Sequence, residues 1–293
     1  MTANPITPGQ RRQLRIIIEN AFAVSVESDE LDKDGVQRLI ENGDRLKKGL
    51  HELILECSRV NKYRSEEESP NDYSYPTKFG RAPKPVVEQV GILRQYFPRL
   101  TSHDECAAEY RLPPMADGWF VVPYWREIAD TYGDACMRLM PLIEQTYGKT
   151  HREYTLERFG EEAQRRSQRT TEMMDALRGF QRGCDMLIFP AQFGALHGGK
   201  SARRVSEILA RTEFHLGLFE VGCMLLTHPE RLGHKNNHWI GCAGDEMMPA
   251  YTTDETRDVR AFLYMDGRAE PVMTWVGRSS GNFGCATGFV SQL

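Results

Sequence analysis

The sequence predicts an α+β protein, and three observations carry that prediction. Apolar residues recur at helical spacing through the first part of the chain. Short apolar runs bounded by Gly and Pro lie in the middle, and a hairpin signal stands near the end. The expected organisation is a helical module over residues 1–60, an acidic and Pro-rich linker or strap over 61–85, and an α+β main domain over 86–293 with a C-terminal β-hairpin.

The elements follow in order. Thr7-Pro8 is a helix start, a capping residue ahead of a proline at the first helical position, and Leu14, Ile17, Ile18 and Phe22 continue at helical spacing. A second helix is expected over Lys33–Glu41, ended near Gly43. The third has the clearest face, formed by Leu46, Leu50, Leu53, Ile54 and Cys57, with Lys47 and Lys48 opposite. Glu66-Glu67-Glu68 followed by Pro70, Pro76, Pro83 and Pro85 marks the strap. Beyond it the pattern predicts a helix from Pro85 to Phe97 and a buried strand over Gly118–Pro123. A helical region from Trp125 to Tyr147 follows, interrupted or kinked at Pro141, then a charged helix from about Gly160 to Gly179. Met186–Phe189 reads as a buried strand left before Pro190, and Ser201–Arg211 as a helix. Leu216–Leu226 is apolar on every side, a core helix or strand stopped by Pro229. Asp266-Gly267 between two apolar runs is the hairpin signal, and Gly281–Phe289 reads as a closely packed strand or loop.

Composition limits the function classes. In 293 residues, 40% are hydrophobic and 27% charged, which excludes a disordered chain, and the formal charge of −4 lacks the broad basic footprint of a general nucleic-acid binder. The polar start and the shortness of the Leu216–Leu226 run, which also holds Glu220, predict a cytoplasmic protein with no membrane span. Seven cysteines at irregular spacing, with no CxxC, predict reduced thiols rather than a disulfide framework.

One motif points to chemistry. Gly194-Ala195-Leu196-His197-Gly198-Gly199-Lys200-Ser201 fits the literal pattern G-x-x-x-x-G-K-[ST], in which glycines let backbone N–H groups surround phosphate. Pro190 between strand and turn, the short remaining chain and the lack of a following acidic strand argue against a nucleotide hydrolase. The expectation that survives is anion binding by Gly198, Gly199, Lys200, Ser201, Arg203 and Arg204 at a helix start, with a nucleotide or nucleic acid as ligand. The bland alternative is a Gly-rich connection ahead of a solvated helix. A second constellation collects His228, His234, His238, Cys242 and Asp245, residue types that ligate zinc or iron when brought together, and suggests a metal-dependent enzyme. Its bland alternative is core cysteine and loop histidine. The N-terminal helices suit a protein partner, or a helix-turn-helix offering Arg45, Lys47 and Lys48 to DNA. A structural or assembly protein with no small-molecule site is the third alternative. No catalytic residue and no cofactor follow from the sequence.

The strings Phe193–His197, Gly222–Leu232 and Cys242–Glu246 resemble a group of bacterial proteins of uncharacterised activity, and the resemblance runs over most of the chain. It implies a bacterial cytosolic origin and assigns no functional residue.

Overall fold

The computed structural model describes residues 7–27, 32–58, 62–70, 83–148, 164–232, 239–247, 258–265 and 268–290. The fold is α+β, with helices first and a mixed body ending in strands. Its contacts divide it into two units, Met1–Arg59 and Val60–Leu293.

The first unit is helical throughout its described length. α1 spans Pro8–Glu27, α2 Lys33–Glu41 and α3 Gly43–Ser58. Thr7 caps α1 by accepting the Gln10 amide at 3.2 Å, and Asp32 caps α2 by accepting that of Gly35 at 2.5 Å. Gly35 is the one buried residue among those whose burial is described in this unit.

The second unit holds the core. Its helices are α4 (Val86–Tyr96), α5 (Tyr132–Tyr147), α6 (Gln168–Phe180), α7 (Ala202–Ile208) and α8 (Leu218–Thr227). One sheet has the order β1 (Gly118–Pro123), β3 (Met186–Gln192), β10 (Thr287–Phe289), β4 (Glu213–His215). A second has the order β8 (Arg268–Trp275), β7 (Asp258–Met265), β5 (Trp239–Cys242), β9 (Phe283–Cys285). β2 (Gln164–Arg166) and β6 (Asp245–Met247) form a separate two-stranded ribbon. β9 runs parallel to β5, and Ala286 alone separates it from β10, so the segment 283–289 ties the two larger sheets together.

α8 is the centre of this body. All ten of its residues are buried, and it packs on α5, α4 and β1. An apolar run this long bounded by Gly217 and Pro229 resolves as a helix rather than a strand. Gly222 permits the close approach of α5, because a Cβ there would collide with Leu139.

Three sequence expectations need correction. The charged segment before Gly179 is not one helix: β2 comes first, Ser167 caps the turn, and α6 begins at Gln168. Gln164 and Arg166 are buried with Arg165 exposed, so an alternating strand satisfies them where a helix would not. β3 does not stop before Pro190 but runs to Gln192; the ladder to β10 covers only Ala191 and Gln192, so the missing N–H of Pro190 falls where that ladder has ended. Pro141 lies inside a continuous α5, and the residues ahead of it form a 3₁₀ turn at Trp125–Glu127 before Thr131 caps the helix. The turn residues Asp266 and Gly267 lie outside the described residues, but the eight-pair register of β7 with β8 makes the expected hairpin pairing.

Candidate functional site

The Gly-rich turn sits where the sequence put it, between β3 and α7, but the amides of Gly199, Lys200 and Ser201, the Ser201 hydroxyl and both arginines are engaged within the chain. Gly194 and Gly199 take positive φ values of 101° and 77°, flanking a 3₁₀ turn at Ala195–His197. The Gly199 amide donates to the Phe283 carbonyl at 2.9 Å, the Lys200 amide to His197 at 3.2 Å and the Ser201 amide to Glu66 at 3.1 Å. Ser201 Oγ caps α7 by accepting the Arg204 amide at 3.1 Å and donates to Glu66 Oε2 at 2.6 Å.

The partner of this turn is the acidic strap. Glu67 and Lys200 form an antiparallel bridge, and the Glu68 amide donates to the Gly199 carbonyl at 2.8 Å. A side chain at position 199 would strike the Glu68 carbonyl, so the glycine serves the strap. Arg203 Nε donates to both oxygens of Glu66 at 2.8 and 2.7 Å, and its Nη2 also reaches Oε1. The guanidinium lies between Tyr63 and Trp275, 4.5 and 4.9 Å from their ring centres. Arg204 pairs with Glu67 and Glu207. Burial opposes ionisation of Glu66, but the hydrogen bonds from Arg203 and Ser201 outweigh it and hold its carboxyl below the usual range. The anion expected from a ligand is here two carboxylates of the chain itself. Gly199, Ser201, Arg203 and Arg204 are consumed as donors while the strap is docked.

The expected metal set does not assemble among the described residues, where no group of three His, Cys, Asp or Glu side chains is placed to hold an ion. His234 and His238 lie outside them. His228 is buried at the end of α8: Nε2 accepts the Lys84 amide at 2.9 Å, and Nδ1 meets Thr227 Oγ1 at 2.9 Å. Burial pushes its pKa down to about 4, so the ring is neutral. Cys242 is buried in β5 with its thiol pushed well up, first by burial and then by the charge of Asp245. His197, which the sequence put inside the turn, is buried against Glu213 at 2.6 Å, and Thr287 Oγ1 donates to the same carboxylate oxygen at 2.7 Å.

Asp245 belongs instead to a buried polar centre that the sequence reading missed. Its Oδ1 accepts the Tyr132 hydroxyl at 2.6 Å; its Oδ2 accepts the Leu218 amide at 2.9 Å and Gln164 Nε2 at 2.5 Å. Glu220 Oε2 accepts the Gly217 amide at 3.0 Å, and its Oε1 pairs with Arg166. Arg260 Nε donates to Gln164 Oε1 at 2.7 Å, and Arg166 lies over the Tyr132 ring at 5.2 Å. Asp245 and Glu220 thus close the N-terminus of α8, where free amides favour negative charge. The findable signal was Glu220, a carboxylate inside an otherwise apolar run, which has to be paired when buried.

The helical unit, among its described residues, leaves large apolar side chains exposed. Along α1, Ile17 and Val24 are each 63% exposed and Phe22 is 53% exposed, values that leave most of a large apolar side chain in water. Ile40, Leu46 and Leu53 on α2 and α3 are also exposed. Between α2 and α3 runs a groove of about 680 Å³, lined by Leu39, Leu46, Leu50 and Leu53 and by the charged Asp32, Arg38 and Arg45. Comparison of the chain with known protein families, with curated proteins and with solved structures finds no match.

Proposed function

We propose that this chain is a protein-docking or assembly protein whose helical unit receives an amphipathic helix of another protein in the α2–α3 groove. The observation that supports the reading is the run of large apolar side chains left exposed on three helices that, among the residues whose burial is described, bury only Gly35. Such helices gain most of their stability from packing an apolar face, so a unit built this way is completed by a partner. A groove lined by leucines at helical spacing suits the helix-in-groove mode of recognition. Its charged lining is Arg38, Arg45 and Asp32; Asp32 pairs with Arg38 at 3.8 Å, and the remaining net positive charge favours a helix with acidic flanks. Leu46 and Leu53 on the exposed side of α3 suit a protein surface better than DNA phosphate.

The test is affinity isolation of the tagged full-length chain, with chemical cross-links located by mass spectrometry, against the double variant Leu46→Asp, Leu53→Asp. The expected result is cross-links from α2 and α3 to an acidic-flanked apolar helix of a different protein, abolished in the variant while far-UV circular dichroism is unchanged. Cross-links insensitive to the double substitution, or a groove filled by a second copy of this chain, contradict the proposal.

A further inference from the structure

We propose that Tyr132, Asp245 and Glu220 form a proton-binding site in the second unit, and that the proton it holds locks the β2–β6 ribbon onto α5 and α8.

The Tyr132 hydroxyl lies 2.6 Å from Asp245 Oδ1 and 3.4 Å from Glu220 Oε2, so one hydroxyl hydrogen stands between two carboxylates. With both ionised, Tyr132 donates to the nearer one, and Glu220 Oε2 keeps only the Gly217 amide. One added proton resolves this. Asp245 then donates through Oδ1 to the tyrosine oxygen, and the tyrosine turns its own hydrogen to Glu220. The run from Asp245 through Tyr132 to Glu220 then has a hydrogen for each of its two oxygen–oxygen contacts.

The surroundings decide how strongly that proton is held. From α5 come Tyr132 and the Cys136 thiol; from β2, Arg166 and the Gln164 amide; from α8, Glu220; from β5, the Cys242 thiol; from β7, Arg260; from β6, Asp245 itself. Tyr132, Cys136, Arg166, Glu220, Cys242, Asp245 and Arg260 are all buried. The two guanidiniums do not serve Asp245 by a direct bond: Arg166 pairs with Glu220, and Arg260 Nε bonds Gln164. Burial and the neighbouring Glu220 charge raise the Asp245 pKa to about 7, against the opposing pull of Tyr132, the Leu218 amide and Arg260.

The ribbon is the element that answers. It has two strands, three pairs long, and a ribbon this small has no independent stability. Beside the Gly244 amide's bond to the Leu216 carbonyl, its side-chain hold on the body runs through this centre: Asp245 of β6 bonds Tyr132 and the start of α8, while Gln164 and Arg166 of β2 bond Asp245 and Glu220. Freed from the centre, Asp245 has an ordinary carboxylate pKa. The folded site therefore holds a proton that the opened site has already lost, and acid tightens the ribbon. The contribution is complete below the ordinary carboxylate range and is lost as the pH rises through the folded value.

The experiment is hydrogen–deuterium exchange of the β2 and β6 amides in the full-length chain, corrected for the intrinsic pH dependence of exchange. In the wild type, opening of the ribbon is expected to rise by up to about tenfold per pH unit between about pH 5 and about pH 7, then level off. Asp245→Asn, which carries no titrating proton, is expected to remove that slope. Identical profiles in the two proteins, or a wild-type profile without slope, overturn the proposal. Should Asp245→Asn fail to fold, infrared difference spectroscopy of the wild type decides. A protonated buried carboxyl band that disappears between about pH 6 and about pH 8 supports the site, and its absence overturns it.

Discussion

Removing the Glu66 carboxylate is expected to release the strap from the Gly-rich turn. Glu66 accepts Ser201 Oγ at 2.6 Å and Arg203 Nε at 2.8 and 2.7 Å, and the Arg203 and Glu66 side chains are only 16% and 15% exposed. A fully solvated ion pair contributes about 0–1 kcal/mol, whereas removing one member of a buried pair costs about 3–5 kcal/mol. At this exposure Glu66→Ala should cost about 2–3 kcal/mol, near the range for hydrogen bonds to charged groups. For a unit of this size that loss lowers the melting temperature by roughly 4–12 °C. Glu66→Gln keeps the shape and an acceptor for Ser201, so its cost is smaller.

The assay is thermal unfolding of the full-length chain, combined with limited proteolysis, which reports on release of the strap itself. A double-mutant cycle with Arg203→Met completes it, because the two single losses should sum to more than the double loss by about 1–3 kcal/mol. The pH dependence has a definite sign. The folded pKa of Glu66 is depressed, so its contribution is present above the ordinary carboxylate range and is lost as pH falls through the folded value. A shift under about 1 °C for Glu66→Ala, or additive single and double losses, refutes the account of the turn as a receptor for the chain's own carboxylates.

Three further outcomes are expected. Gly199→Ala forces a side chain into positive φ and against the Glu68 carbonyl, so it should destabilise by at least about 1–2 kcal/mol and free the strap to protease. Gly222→Val overpacks the α5–α8 contact at Leu139; chemical denaturation should show a loss of about 1–3 kcal/mol, or failure to fold. His228 titrates near 6.5 when unfolded and about 4 when folded, so its contribution is full above the first value and is lost as pH falls toward the second. The His228→Gln variant should therefore lack an acid-induced loss of about 3 kcal/mol that the wild type shows across that window, read from melting curves at several pH values.

The α+β class was legible because its elements have strong local signals. Thr7-Pro8 announced the start of α1, the second helix was expected at Lys33–Glu41 where α2 lies, and the apolar spacing from Leu46 to Cys57 marked α3. The failures share a physical cause, which is pairing between residues distant in sequence. β2 looked helical because its reason for being a strand lies in Asp245 and Glu246, some 80 residues away. The Gly-rich turn looked like a phosphate cradle because local sequence shows donors but not acceptors. Arg203 and Ser201 carry the same letters whether an external phosphate or Glu66 answers them. The acidic run at 66–68 was visible, as was the basic turn, but only the fold brings the two together. Tyr132, Gln164, Arg166 and Arg260 gave no signal of a shared site, since they come from α5, β2 and β7.

Among the described residues, the second unit answers its turn at 194–204 from within, while the helical unit leaves large apolar side chains exposed. Hydrogen–deuterium exchange of the full-length chain, with and without the partner isolated by cross-linking, compares the two regions in one measurement. New protection is predicted in residues 33–58, with residues 194–204 exchanging as before. Protection that instead appears at 194–204, with release of the strap at 62–70 and no change at 33–58, contradicts it.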